Sequence, residues 1–258
     1  MSELLHYLGS IGAIDFGIQW AVWSVSAALR TEKFYDCTGL STFFLLACVS
    51  LKWGKSMFVR QKVQTGMVCV WATRLGVFLV RRIMMAGSDS RFDKVKRKPI
   101  KFLIYWTIQG VWILVTLMPT LILNYKTVDK PLGHQDYAGW TLWVIGFLFE
   151  SIADYQKSKF RAKPSNKGKY IRSGLWSISR HPNYFGEILL WLGLYTTAQN
   201  TMEGYENLSV FSPIFVAFLL IKVSGIPLLE KSAFERWGTS PSYVDYVQST
   251  AKLIPFIW

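Results

Sequence analysis

"SISRHPNYFGEILLWLGLY", residues 177–195, sets Arg180, His181 and Pro182 just ahead of an apolar run, so a hydrophobic segment opens on a polar mouth. The rest of the chain shows why that matters. Of 258 residues, 51% are hydrophobic and 16% aromatic, while only 17% are charged, and mean hydropathy is +0.24. Soluble domains of this size carry about a quarter charged residues. The apolar residues gather in long blocks, so the chain reads as all-α, a polytopic membrane protein with a single transmembrane domain over residues 1–258.

Seven transmembrane helices in one bundle are expected, each of roughly 17–25 residues where the pattern permits, near 11–29, 37–53, 64–85, 101–123, 138–156, 184–199 and 209–229. Gly, Ser and Thr interrupt several of them, as close packing of membrane helices allows. Pro119 and Pro227 are expected near span ends and Pro213 in a first turn, where proline does least harm. No cleavable leader is expected, because "MSELLHYLGSIGAIDF" lacks a basic stretch before its first apolar segment. Cys37, Cys48 and Cys69 are too few and scattered for a disulfide framework. His6, His134 and His181 are far apart, with no metal-ligand spacing, so no metal is expected.

The charge pattern orients the bundle. The net charge of +13 could point to nucleic acid, but an apolar chain uses its lysines as topology signals, and no nucleic-acid partner is expected. The loop after the third span holds Arg81, Arg82, Arg91, Lys94, Lys96, Arg97 and Lys98 against Asp89 and Asp93. The loop after the fifth holds Lys157, Lys159, Arg161, Lys163, Lys167, Lys169, Arg172 and Arg180, with no acidic residue between Asp154 and Glu187. The positive-inside rule puts both loops in the cytosol, or in the matrix of an organelle. "LKWGKSMFVRQK" is a modestly basic exception on the far side. Basic loops also touch anionic membrane lipids, and for the loop after the third span that ordinary role suffices.

The second basic loop carries more. Glu150 and Asp154 lie four apart on one face of an otherwise apolar helix, and intramembrane carboxylates by default face the bundle interior, paired or at a site. Asp154 can meet Lys157 or Arg161, an arrangement that a structural ion pair would also explain. Eight cations closing on a helix mouth suit a polyanion, with Arg offering planar forks for phosphate and Lys point charges. Pro182 suits a first helical turn, which puts a helix start beside Asn183 and Tyr184, where free N–H groups favour an anion. As a lone residue, Asn183 would be a simple cap.

These residues match a known family. "ADYQKSKFRAKP…GKYIRSGLWSISRHPNYFGEILLWLGLY" resembles the C-terminal domain of the steroid 5-alpha-reductase family, and most closely its branch of uncharacterised reductase-like proteins from bacteria and protists. The likeness continues through "SGIPLLEKSAFERWGTSPSYVDYVQSTAKLIPFIW", with its Glu, Tyr-x-x-Tyr and terminal Ile-Pro, and upstream through "TEKFYDCTG", "WATRLGVFLVRR" and "GSDSRF". It implies a seven-helix, NADPH-dependent reductase of a lipid or sterol-like enone double bond, with the cofactor site in residues 138–258 and membrane lipids around it. By resemblance, Asp154, Arg161, Tyr170, Arg172, Arg180, Asn183, Tyr184 and Glu187 fall at cofactor positions, with His181 among them.

The pattern also departs from that family. Reduction of an enone needs an acid that polarises the ketone oxygen. Animal steroid reductases use a Glu in the second span and a Tyr in the third. Here "CTGLSTFFLLACVSLKW" contains no Glu, and "MVCVWATRLGVFLV" offers Trp71 and Arg74 but no Tyr. Tyr35 and Asp36 are the nearest local acids, and Arg74 is either an oxyanion partner or a structural counter-ion. Two rival readings stay open. One is an S-adenosylmethionine-dependent methyltransferase, since isoprenylcysteine and phospholipid methyltransferases share "RHP-x-Y-x-G". The other is a catalytically silent accessory subunit within a larger membrane complex, since folds outlive functions. Endoplasmic reticulum is the expected compartment for a lipid enzyme of this kind, with the mitochondrial inner membrane as the alternative.

Overall fold

The computed structural model describes residues 2–258, and among them the backbone is helical with no strand. Among the described residues nine α-helices follow one another: α1 (Ser2–Ala28), α2 (Tyr35–Trp53), α3 (Val59–Ala86), α4 (Pro99–Tyr125), α5 (His134–Ala162), α6 (Pro182–Gln199), α7 (Phe211–Phe218), α8 (Ile226–Trp237) and α9 (Pro241–Ser249). Proline opens α4, α6 and α9, where its missing N–H costs nothing and its fixed φ fits the first turn. Among the described residues three stretches are long and apolar enough to cross a membrane: Val59–Met85, Pro99–Tyr125 and Gly204–Trp237. The last is not one regular helix. A 3₁₀ turn (Gly204–Val210) leads into α7, a π segment (Leu219–Val223) follows, and α8 restarts after Gly225.

The chain divides into two compact units. The first comprises the residues up to Asp136 together with Thr197–Ser212. Within it α2 packs on α3 and α4, and α1 packs on α4. Its apolar centre is built from Ile11, Phe43, Leu46, Ile113 and Leu117, all fully buried, with Phe43 set edge-on to Trp71 and Trp112 at centroid separations of 5.1 and 4.8 Å. Polar bonds between helices join this packing, as expected where lipid removes most of the hydrophobic drive for association. Asn124 Nδ2 donates to Ser50 Oγ at 2.8 Å and to Thr65 Oγ1 at 3.0 Å, and Gln64 Nε2 donates to Thr120 Oγ1 at 3.1 Å. The fully buried Arg60 donates through Nε to Asp136 Oδ1 at 2.6 Å and through Nη2 to Oδ2 at 3.1 Å.

Pro119 lies inside α4, not at its end, and the helix runs on for another six residues to Tyr125. A proline there leaves the carbonyl four residues back, that of Val115, without its helix donor. Ser212 Oγ donates to the neighbouring Thr116 carbonyl at 2.7 Å.

The second unit comprises Tyr137–Thr196 and Pro213–Trp258. Glycines govern its helix packing. A Cβ placed on Gly186 of α6 would stand 2.5 Å from both the Gly146 carbonyl oxygen and the Glu150 backbone nitrogen of α5. One on Gly193 would stand 2.5 Å from the Gly139 carbonyl oxygen. Each pair, Gly139 with Gly146 and Gly186 with Gly193, repeats after one heptad, so one seam of each helix meets its neighbour backbone to backbone.

Gly186→Ala is expected to cost about 1–3 kcal/mol, because the new methyl overpacks a backbone contact that cannot yield. The measurement is the thermal midpoint of the purified chain in detergent. Gly9→Ala, whose Cβ would meet nothing within 4 Å, should leave that midpoint unchanged or slightly raised.

Candidate functional site

The α5–α6 seam sets two polar residues side by side. Glu150 and Asp154 are buried on one face of α5, as the four-residue spacing implies. Asn183, in the first turn of α6, donates from Nδ2 to Asp154 Oδ1 at 3.3 Å. The linking chain is held down locally. Gly174 takes φ +64°, a left-handed conformation that a side chain resists, and Leu175 donates its N–H to Gln156 Oε1 at 2.9 Å. Trp176 donates from Nε1 to the Ala153 carbonyl at 3.1 Å.

The C-terminal tail ties the "SRHP" turn from the other side. Arg180 donates its backbone N–H to the Ala251 carbonyl at 2.8 Å, and Ser179 Oγ donates to the Leu253 carbonyl at 2.7 Å. Tyr246 on α9 donates its hydroxyl to the Trp176 carbonyl at 2.7 Å. Glu230, on α8, forms the centre of the cluster. Its carboxylate accepts from Arg180 Nη1 at 2.6 Å and meets His181 Nε2 at 2.7 Å. His181 in turn stacks on Tyr184, their rings nearly parallel at 5.7 Å.

Beside this cluster lies a cleft of about 140 Å³. Among the described residues lining it are five cations, Lys157, Arg161, Lys169, Arg180 and Arg236, against one carboxylate, Glu230. Its aromatic wall is Tyr170, Trp176, Trp237, Tyr243 and Tyr246. Tyr170 packs on Tyr243 at 5.0 Å and on Trp237 at 5.6 Å, and its hydroxyl donates to Ser242 Oγ at 3.2 Å. Lys157 sits 4.6 Å above the Trp176 ring.

Three buried polar atoms of the cluster lack a hydrogen-bond partner among the described residues: Arg180 Nε, His181 Nδ1 and Asn183 Oδ1. Burial holds the His181 imidazole below its usual range, outweighing the pull of Glu230, and the Lys157 and Arg180 charges act in the same sense as burial. A neutral ring that gives its Nε2 proton to Glu230 presents Nδ1 as an acceptor. The unfilled set is therefore one charged donor and two acceptors. That set fits a ligand carrying both an anion and hydroxyl or amide donors, such as a phosphorylated nucleotide. The cleft is smaller than the ~300–1,000 Å³ usual for a small-molecule site, so a whole dinucleotide would extend beyond it.

The sequence-predicted cofactor residues do not all gather here. Arg161, Tyr170, Arg180 and His181 line the cleft. Asp154, Asn183 and Tyr184 join the cluster through the contacts given above. Arg172 is exposed and does not line the cleft, and Glu187 is half-buried on α6. The three proposed catalytic residues belong to the first unit. Tyr35 donates its hydroxyl to the Tyr105 carbonyl at 3.0 Å and packs between Phe92 and Trp106. Asp36 pairs with Arg82 at 2.9 Å and Arg91 at 3.4 Å. Arg74 is half-buried on α3. Glu230, noted in the sequence only as part of the tail that resembles the family, and Arg236 and Trp237 are among the cleft residues to which no cofactor role was assigned. A carboxylate shortly after Pro227, at the end of an apolar stretch, was the available signal.

The fold and cluster together define a helical integral membrane protein with a cationic, aromatic-walled cleft. The chain belongs to the DUF1295 family, a steroid 5-alpha-reductase-like family whose profile, described as "Protein of unknown function", matches residues 22–250. It is similar to an uncharacterized protein of Schizosaccharomyces pombe, 22% identical over 72% of this chain and 60% of that one. It is also similar to a probable 7-dehydrocholesterol reductase of Acanthamoeba polyphaga mimivirus, 28% identical over 55% of this chain and 32% of that one. A third relative is 3-oxo-5-alpha-steroid 4-dehydrogenase 1 of Rattus norvegicus, 29% identical over 46% of this chain and 40% of that one. The chain thus spans less than two thirds of the length of these curated relatives. No solved structure matches it.

The His181 environment sets a pH dependence. Its folded pKa lies below the unfolded value, so between the two the unfolded chain binds more protons. Its contribution to stability is full above the usual histidine range, about pH 6.5, and falls as pH drops below that value. Acid unfolding of the purified chain should therefore steepen below about pH 6.5, and His181→Gln should flatten that limb. Equal slopes in the two proteins would show that His181 titrates as it does in the unfolded chain.

Proposed function

We propose that this protein is an NADPH-dependent membrane reductase acting on a carbon–carbon double bond conjugated to a carbonyl in a lipid or sterol-like substrate. The observation that carries this reading is the Arg180–Glu230–His181 cluster, with its unfilled donor and acceptors, beside five cations and an aromatic wall. The names of the sterol and steroid reductase relatives support it from outside the structure.

In this reading Arg180 and Arg236 hold phosphate oxygens, with Lys157, Arg161 and Lys169 supplying further neutralising charge. His181 Nδ1 accepts from a ribose hydroxyl, and Asn183 Oδ1 accepts from a hydroxyl or amide. Tyr170 and Trp237 offer faces for a flat ring. Glu230 fixes the orientation of Arg180 and His181 and keeps the imidazole in one tautomer. NADPH, when bound, supplies the hydride. The carbonyl must be polarised by a proton donor or cation of the chain, for which Tyr35, Asp36 and Arg74 remain the candidates.

The proposal includes seven membrane crossings, α1 to α6 and the stretch through α7, with the two strongly basic loops in the cytosol and the endoplasmic reticulum as compartment. The shortest crossing, α6, has 18 residues and a length of about 27 Å, close to a hydrocarbon core. Asp15, Gln19, Glu150 and Asp154 lower the average hydropathy of α1 and α5, yet all four are buried within the protein.

A second reading, a catalytically silent accessory subunit, is favoured by one observation. The Tyr35 hydroxyl and the Asp36 carboxylate are already engaged, in a span pair that lacks the family's Glu and Tyr. One experiment addresses both. Calorimetry on the detergent-purified full chain should give saturable NADPH binding, weaker NADH binding and none with S-adenosylmethionine. Arg236→Ala should weaken NADPH by about tenfold or more, the worth of a charge-assisted hydrogen bond. Turnover of a lipid enone by that preparation supports the reductase, and binding without turnover supports the accessory subunit. Absence of nucleotide binding would overturn both the cofactor site and the reductase reading.

A further inference from the structure

A second cavity has no part in the reading above. It is a groove of about 880 Å³ in the first unit, between the first turns of α1, the C-terminal half of α4 and the 3₁₀ turn Gly204–Val210. Leu5, Leu8, Met118, Ile122, Leu208 and Phe211 give it an apolar wall, and Leu5, Leu208 and Phe211 are exposed. One end is lined by Glu3, Glu203 and Glu206.

These carboxylates are not equally compensated. Glu206 pairs with Lys126 at 2.5 Å and accepts the Glu203 N–H at 2.8 Å. Glu206 donates its own N–H to the Glu203 backbone carbonyl at 3.1 Å. Glu3 accepts a bond from the Tyr125 hydroxyl at 3.4 Å. Three negative charges thus meet one cation among the described residues, and the rim stays negative.

A hydrocarbon chain gains little by leaving one apolar medium for another, so an apolar groove in a membrane protein cannot select a lipid by its tail. Selection must come from the rim. An uncompensated pair of carboxylates at the membrane surface repels an anionic headgroup and favours one that carries an ammonium.

We propose that this groove holds one membrane phospholipid with a primary-amine headgroup, its chain along Leu5, Leu8, Met118 and Ile122 and its ammonium at Glu3 and Glu203. The inference stands on the first unit alone and is independent of the reductase reading.

Native mass spectrometry of the detergent-purified full chain tests it, with phosphatidylethanolamine, its N-acetylated form, phosphatidylglycerol and cholesterol as probes. One phosphatidylethanolamine should bind per chain, preferred over its N-acetylated form by about twofold to fivefold, as expected for a partly exposed ion pair. Glu3→Gln with Glu203→Gln should abolish that preference while keeping the shape of both side chains. Should the double variant lose its monodisperse form, Glu3→Gln alone, a change on an exposed first turn, should reduce the preference. Met118→Trp, which fills the groove, should lower occupancy by all lipids. Equal binding of the N-acetylated lipid, preference for phosphatidylglycerol or cholesterol, or occupancy unaffected by Met118→Trp would each overturn the proposal.

Discussion

The second unit depends on the backbone contact between α5 and α6. Gly146 and Gly186 each occupy space that a Cβ on the other helix would invade, and Gly193 meets the Gly139 carbonyl in the same way one heptad on. Helices this close lose the freedom to slide, because the bare seam fits in one register only. That register sets the first turn of α6 beside the Asp154 turn of α5, so that Asn183 reaches Asp154. The polar mouth in the sequence is thus the end of a helix pair whose approach is dictated by residues without side chains.

Polar chemistry then accumulates where the pair ends. Arg180 and His181 are held from three directions: by α6 that follows them, by the tail through the Ala251 carbonyl, and by Glu230 on α8. A half-buried arginine beside a buried histidine would be unfavourable without a carboxylate. Glu230 supplies it to both, and burial keeps the imidazole neutral, so the cluster carries less net positive charge than its side chains imply. Four further cations, Lys157, Arg161, Lys169 and Arg236, line the cleft beside this cluster. Neutralised at its base and cationic at its opening, the site is ordered without a ligand and still favours an anion.

Much of this was legible in the sequence, and what was legible is local. The start of α6 at Pro182 follows from the restricted φ of proline, and the buried pair Glu150 and Asp154 follows from helical periodicity. The partner of Arg180 was not legible. Glu230 is 50 residues away, and neither periodicity nor spacing reports a contact made by a chain returning over such a distance. The same holds for the Ala251 and Leu253 carbonyls, whose acceptor role belongs to every residue and leaves no mark in composition. The single apolar run of residues 209–229 hides a 3₁₀ turn, a π segment and a break at Gly225, because hydropathy averages over backbone geometry. Tyr35 looked like an available acid, yet its hydroxyl is committed to a carbonyl 70 residues on.

Averaging also explains why, among the described residues, three stretches are long and apolar enough to cross a membrane and the other helices are not. Mean hydropathy counts every residue of a helix equally, whereas lipid meets only the outer face. In α1, Asp15 and Gln19 are fully buried, and Gln19 is part of a chain of bonds from Asp15 through Thr42 and Gln109 to the Tyr35 carbonyl. On the same helix Leu5, Trp20 and Val25 are exposed. From Asp15 to Ser26 the buried positions of α1 are polar and its exposed large side chains apolar, the reverse of a soluble amphipathic helix, while Tyr7 and Ile11 are buried nearer its start. Where the interior is bonded to itself and the exterior is oil-like, low mean hydropathy records a polar core and leaves the outer surface suited to lipid.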